Sequence, residues 1–318
     1  MNNEPFLKNF STILKLMSLV VIIIISIFIF NLLGIVISLP FWGTEAMMAF
    51  TGNISLKINE NINFYKYLQI VNQIGMFIIP SILFAFLVKG RISAYLKINR
   101  IPDLFTLLAG VLVIIVSMPF VNYLVSLNES LHLPSALSEI EDWMRKSEDS
   151  AEIFTNAFLK GTSISGFLLN IVMIAILPAI GEEFLFRGVL QKQFKDLLGN
   201  VHIAIFVSAF LFSAMHLQFF GFFPRMVLGL LLGYMFYFSN NLWVPIIGHF
   251  FNNAFAVTVS FLNNKKIIQT DIDTMGNAGD NYFLIIVSLI LTLILLIIIL
   301  KIEEKSKKKE ENKIPSSL

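Results

Sequence analysis

The chain has 318 residues, of which 56% are hydrophobic and only 14% charged, with 32 Phe and a mean hydropathy of +0.79. Soluble domains carry about 25% charged residues, so water alone could not solvate this surface and most of it must face lipid. A net charge of +2 supplies no basic face for nucleic acid, and the absence of Cys excludes disulfides, thiolate metal sites and a thiol nucleophile.

A membrane-crossing helix needs roughly 20 mostly apolar residues. Eight runs meet that length, at approximately 16–39, 67–88, 104–126, 164–186, 202–220, 222–239, 242–262 and 282–300, and none shows the alternation of a strand. The expected fold is therefore all-α, a polytopic membrane protein with about eight transmembrane helices. The first run is too long for a signal-peptide core and is read as retained.

Basic residues in short loops set orientation. Lys8 and Lys15, then Lys89, Arg91, Lys97 and Arg100, then Arg187, Lys192 and Lys195, and finally Lys301 to Lys313 all fall on one side of an eight-span chain. Both termini are accordingly expected to be cytoplasmic in a multi-pass protein of the cell membrane. On the other side, the segment 128–163 is acid-rich, and 263–281 balances Lys265 and Lys266 against Asp271, Asp273 and Asp280. Within the first of these, Ser138–Lys160 mixes Trp143, Met144, Ile153, Phe154 and Phe158 with charges, which suits either an amphipathic helix on the outer surface or an ordinary solvated one. No fixed-period repeat or Pro-rich linker divides the chain, so 1–318 reads as one membrane domain, with 301–318 as a charged, disordered cytoplasmic tail.

Ionisable groups inside a span cost roughly 2.5–3.5 kcal/mol each on insertion scales, so those that persist are functional candidates. They collect in three places: Glu182, Glu183 and Arg187 at the end of the fourth run, His216 in the fifth, and His249 with Asn252 and Asn253 in the seventh. Asn31, Asn72 and Gln73 in earlier runs read as interhelical hydrogen-bonding groups, and His132 and His202 as packing or hydrogen-bonding residues. Glu183 and Arg187 stand at i,i+4, the order that favours an ion pair, which leaves Glu182 free, about 100° around the helix. His249 and Asn253 are also at i,i+4, and Phe212 sits one turn before His216. Pro178 frees a carbonyl one turn back and is expected to kink the fourth helix ahead of Glu182. Gly229 and Gly233 form a GxxxG pattern that lets two helices touch.

A carboxylate beside an imidazole can deprotonate water, while a second imidazole and an amide can stabilise the oxyanion formed when that water attacks a carbonyl. Two imidazoles and one carboxylate also form the ligand set of several zinc hydrolases, although no H-E-x-x-H is present. In order along the chain, Glu182-Glu183-Phe184-Leu185-Phe186-Arg187 fits E-E-x-x-x-R, Phe212 to His216 fits F-x-x-x-H, and His249 to Asn253 fits H-x-x-x-N. With these three motifs the chain resembles the CPBP family of intramembrane proteases, also called Abi, which includes CAAX prenyl endopeptidases and bacteriocin-processing and self-immunity proteins.

The resemblance covers about residues 160–262, taken as the catalytic core. It implies Glu182 and His216 as a water-activating pair, His249 and Asn253 as oxyanion stabilisers, and Glu183, Arg187 and Phe212 in structural parts. It is compatible with a metal-free mechanism, which is favoured, or with zinc on Glu182, His216 and His249. The expected partners are membrane lipid and a peptide or membrane-anchored protein substrate, without nucleic acid. Two other classes remain open: a proton-coupled transporter, and a non-catalytic immunity or scaffold protein.

Depth presents a difficulty. Counted at 1.5 Å per residue, Glu182 lies roughly 5 Å, His249 about 10 Å and His216 about 20 Å from the cytoplasmic boundary. Either the fifth helix begins later than hydropathy suggests, or tilted and broken helices bring the groups to one level in a water-filled cavity open to the cytoplasm.

Overall fold

A computed structural model describes residues 4–50, 61–130, 132–269 and 281–311. Asp271, Asp273, Asp280 and the end of the charged tail lie outside these. Among the described residues every regular element is helical. Seven helical stretches are long and apolar enough to cross a membrane, and an eighth apolar helix, Val201–Ala214, is shorter. The protein is a multi-pass, all-α membrane protein.

The first long helix, α1 (Thr12–Phe50), runs past Pro40 and departs from helical geometry only at Trp42 and Gly43. Trp42 stacks on Tyr67 at 5.4 Å and meets Phe64 at 5.7 Å, which ties the bent end to the next span. Only 11% of the apolar window of α1 is buried, so it is a peripheral, lipid-facing helix. The second span, Ile62–Lys89, consists of α2 (Ile62–Gln73), a π-helical segment (Ile74–Ile78) and α3 (Ile79–Lys89). It ends at Gly90, whose positive φ of 70° gives the left-handed C-cap that glycine supplies without strain. A short α4 (Ile92–Leu96) leads to α5 (Leu104–Glu129), capped by the Asp103 side chain, which accepts from Phe105 N at 2.8 Å.

The amphipathic segment is helical as its pattern allows, forming α6 (Ser138–Leu159). Its first turns are fixed by Glu141, which accepts from Arg145, from the Leu133 backbone N–H and, at 3.0 Å, from His132 Nδ1. These donors hold the Glu141 carboxyl down to about 2. A depressed carboxylate stabilises the fold above its unfolded value and loses that contribution as pH falls towards its folded value. Amide protection at residues 132–145, taken relative to the intrinsic exchange rate at each pH, should therefore hold down to about pH 4.5 and fall between there and about pH 2. Protection that stays constant across that window would show that the network holds nothing.

The fourth span, Ile164–Leu198, is the longest of the central ones and differs from expectation. It comprises α7 (Ile164–Asn170), a π segment (Ile171–Ile176), α8 (Leu177–Glu183), a second π segment (Phe184–Leu190) and α9 (Gln191–Leu198). Hydropathy ends the run at 186, but Arg187, Gln191 and Gln193 are buried against neighbours and the helix continues. Pro178 enters directly after a π turn and so does Pro80 in the second span, so the missing donor is absorbed by wider winding rather than by a helix end.

α10 (Val201–Ala214), capped by Asn200, stops sooner than the expected run 202–220, and Leu217 takes a left-handed φ of 53°. α11 (Phe222–Ser239) and α12 (Trp243–Asn264) follow. At Gly229 an added Cβ would lie 3.0 Å from the Ala209 Cβ, and at Gly233 one would lie 2.8 Å from an Ile205 methyl, so the GxxxG pattern lets α11 touch α10. The last helix, α13 (Tyr282–Glu311), packs on α5. It carries the tail as helix through Glu311, where the sequence suggests disorder, and Thr106 donates to Glu303 at 3.0 Å. Two buried cores result. One gathers Phe77, Phe84, Leu96, Phe184, Phe186 and Phe212 around the fourth span, and the other joins α5, α11, α12 and α13 through Val113, Ile114, Leu232, Met235 and Ile299.

Candidate active site

Glu182, His216 and His249 meet at one cavity although they stand on three separate helical stretches or their ends. Glu182 and Glu183 lie near the middle of the fourth helical stretch, and α10 ends just before His216 rather than starting late. Glu182 is 5% exposed, Glu183 0%, Arg187 1% and His249 2%, so this charged group is enclosed by protein.

The expected ion pair is formed: Arg187 Nη1 donates to Glu183 Oε1 at 2.6 Å. The guanidinium also donates to Gly229 O at 2.9 Å and lies 4.7 Å from the centre of the Phe212 ring. Glu183 Oε1 takes a second partner, His249 Nδ1 at 3.0 Å. A carboxylate only accepts, so this contact puts a proton on Nδ1 and turns Nε2 the other way, where it lies 3.9 Å from Glu182 Oε2. Phe212 packs edge-on against His249 at 5.9 Å, His216 at 5.3 Å and Phe186 at 5.3 Å, walling both imidazoles on one side. His216 Nδ1 donates to Phe212 O at 2.8 Å, which leaves its Nε2 as the free ring nitrogen.

Asn253 Nδ2 donates to Ile174 O at 3.1 Å. That carbonyl lies four residues before Pro178, where the helix lacks a donor, so Asn253 fills the place of the absent N–H. Its second N–H stays available. Asn252 Nδ2 donates to the Asn253 carbonyl at 3.1 Å and fixes the orientation of that amide.

Glu182, His216, His249, Asn252 and Asn253 border one cavity of about 570 Å³. The structure thus brings all four expected catalytic side chains to one space, with Glu183 and Arg187 behind them. The other walls were not expected. Ala151, Phe154, Thr155 and Phe158 of α6 form a roof, Gln69 and Gln73 of α2 one side, and Arg225 and Leu228 of α11 another. The loop carrying His216 is fastened to that roof: Ser147 donates to Leu217 O at 3.0 Å, and Glu148 accepts from Gln218 Nε2 at 3.2 Å and Phe220 N at 3.3 Å. Arg225 reaches Gln218 Oε1 at 2.6 Å. As a charge inside the sixth apolar run, Arg225 carries the same signal that marks Glu182, and Gln69 and Gln73 share an i,i+4 face.

The cavity lies towards α6, at the end of the bundle opposite the 90–103 loop and the 240–242 turn, where Asn241 Nδ2 meets Arg100 O. The basic residues of the 90–103 loop are at that far end. Among the described residues, no three His, Asp or Glu side chains are grouped so as to hold a metal ion.

Residues 164–255 match the family described as type II CAAX prenyl endopeptidase Rce1-like. A protein of Bacillus subtilis (strain 168), described as uncharacterized protein YpbD, is 33% identical over 102 residues, which cover 30% of this chain and 49% of that protein. The match thus spans about half the length of that relative. No solved structure matches the chain. The matched segment contains Glu182, Glu183, Arg187, Phe212, His216, His249 and Asn253, so the part of the chain that is similar to the Rce1-like type II CAAX prenyl endopeptidases is the part that carries the polar cluster.

Proposed function

We propose that the protein is an intramembrane endopeptidase that hydrolyses a peptide bond of a membrane-associated peptide or protein, with water activated by Glu182. The observation that carries this reading is the shared cavity: a buried carboxylate, two imidazoles and an anchored amide border one space inside the Rce1-like segment. Glu182 accepts a proton from water, assisted by the free Nε2 of His216, and the resulting hydroxide attacks the scissile carbonyl. The second N–H of Asn253 and a protonated His249 Nε2 donate to the oxyanion, while Glu183 stabilises the imidazolium through Nδ1. Collapse of the tetrahedral intermediate breaks the C–N bond. The proton held by Glu182 passes to the leaving amine, so the carboxylate is restored.

The mechanism is proposed as metal-free, with Glu182 and His216 as the pair that activates water. With both termini in the cytoplasm of a cell-membrane protein, the α6 roof faces the opposite leaflet, from which substrate would enter. A comparison of protein termini in cells carrying the wild type or Glu182→Ala tests the function and finds the substrate together. New termini that depend on Glu182 are expected; identical terminus sets in both strains would overturn the assignment.

A further inference from the structure

We propose that Gln69 and Gln73 clamp the backbone of an extended substrate segment on the α6 side of Glu182; the proposal rests on the peptidase reading and names the substrate conformation it requires. Both side chains border the catalytic cavity, and Gln73 Oε1 is buried without a hydrogen-bond partner. Their span runs parallel to the Glu182 helix in a fixed register. Lys66 Nζ donates to Asn170 at 2.8 Å, and Phe77 packs against Gly181, with the same offset of 104 residues in chain position at both contacts. That register places Gln69 level with Met173 and Gln73 level with Leu177.

One helical turn separates the two amides by about 6 Å along the axis. Alternate residues of an extended peptide repeat every ~6.7 Å, so two glutamines at i,i+4 meet two successive backbone amides on one edge of a strand. Each carboxamide carries a donor and an acceptor, which is the pairing that an unprotected N–H and C=O need. Glu182 lies about 7.5 Å further along the axis than Gln73, or roughly two extended residues. The clamped positions are therefore about two and four residues from the scissile bond. A helical substrate presents no free backbone groups there, so the clamp selects segments already unwound.

The test uses full-length protein in phospholipid nanodiscs. The probe is an N-acylated, fluorophore-labelled peptide of nine residues, with a second version N-methylated two residues from the cleavage position. Binding is read by anisotropy in Glu182→Ala protein, and cleavage in the otherwise wild-type chain. Gln73→Ala and Gln73→Leu should each weaken binding about tenfold, N-methylation should do the same in the parent, and the two losses should not add. Gln69→Ala supplies a second reading should Gln73 variants fail to fold, which their thermal unfolding would reveal. Unchanged binding in these variants, or fully additive losses, would overturn the clamp while leaving the peptidase reading intact if cleavage persists. Gln-dependent binding without any cleavage would overturn the peptidase reading and keep the clamp; neither binding nor cleavage would overturn both.

Discussion

Arg187→Ala should destabilise the protein by about 3–5 kcal/mol, the usual cost of stripping the partner from a buried charge, out of a total stability of only about 5–15 kcal/mol for a typical domain. The Glu183 carboxylate is fully buried and Oε2 already lacks a partner, so loss of the guanidinium leaves a charge held only by His249. Arg187→Lys should rescue little. An ammonium has its donors on one nitrogen, whereas Arg187 reaches Glu183 Oε1 through Nη1 and Gly229 O through Nη2, and the ammonium has no planar face to lay over Phe212. Removing both charges together, as Arg187→Met with Glu183→Gln, should restore most of the thermal stability, since no uncompensated ion remains. Tryptophan-monitored melting in detergent checks the series, and a single variant that melts with the wild type would show that the pair is not structural.

The legible part of this protein was local. Glu183 to Arg187, Phe212 to His216 and His249 to Asn253 are separated by one helical turn, and the i,i+4 geometry of each was available from spacing alone. Hydropathy misjudged the ends of the fourth and fifth spans for one reason: it reads composition, whereas these ends are decided by distant partners. The fourth helix continues past Arg187 because Gln191 donates to Gly233 O and Gln193 to Tyr95. The fifth stops at Ala214 because the next segment is held from outside, through Asn128 to Phe219 O and Glu148 to Phe220 N. The site divides in the same way. Its members were visible as misplaced polar groups, but the Glu183–His249 contact joins residues 66 apart, and α6 is tied to the His216 loop by contacts 70 and 72 residues apart. Only a fold supplies those.

Glu182→Gln should leave thermal stability close to that of the wild type and lower cleavage by about 10²–10⁴-fold, the range for loss of a positioned general base. The contrast with Glu183 follows from their surroundings. Glu183 is fixed between Arg187 and His249 with no exposed surface, whereas Glu182 borders open cavity and has only the longer approach to His249 Nε2 at 3.9 Å. An amide is close in size to the carboxylate and can keep contacts to the walls, but it cannot take a proton from water. Glu183→Gln should instead reduce stability, because Arg187 then loses its counter-charge in a buried site. Adjacent carboxylates, one turned to the cavity and one to the core, should thus give opposite phenotypes: folded and inactive at 182, unstable at 183. Paired melting curves and turnover in nanodiscs read both. A Glu182→Gln protein that cleaves at the wild-type rate would remove the base from the mechanism and, with it, the reason for a buried charge beside the cavity.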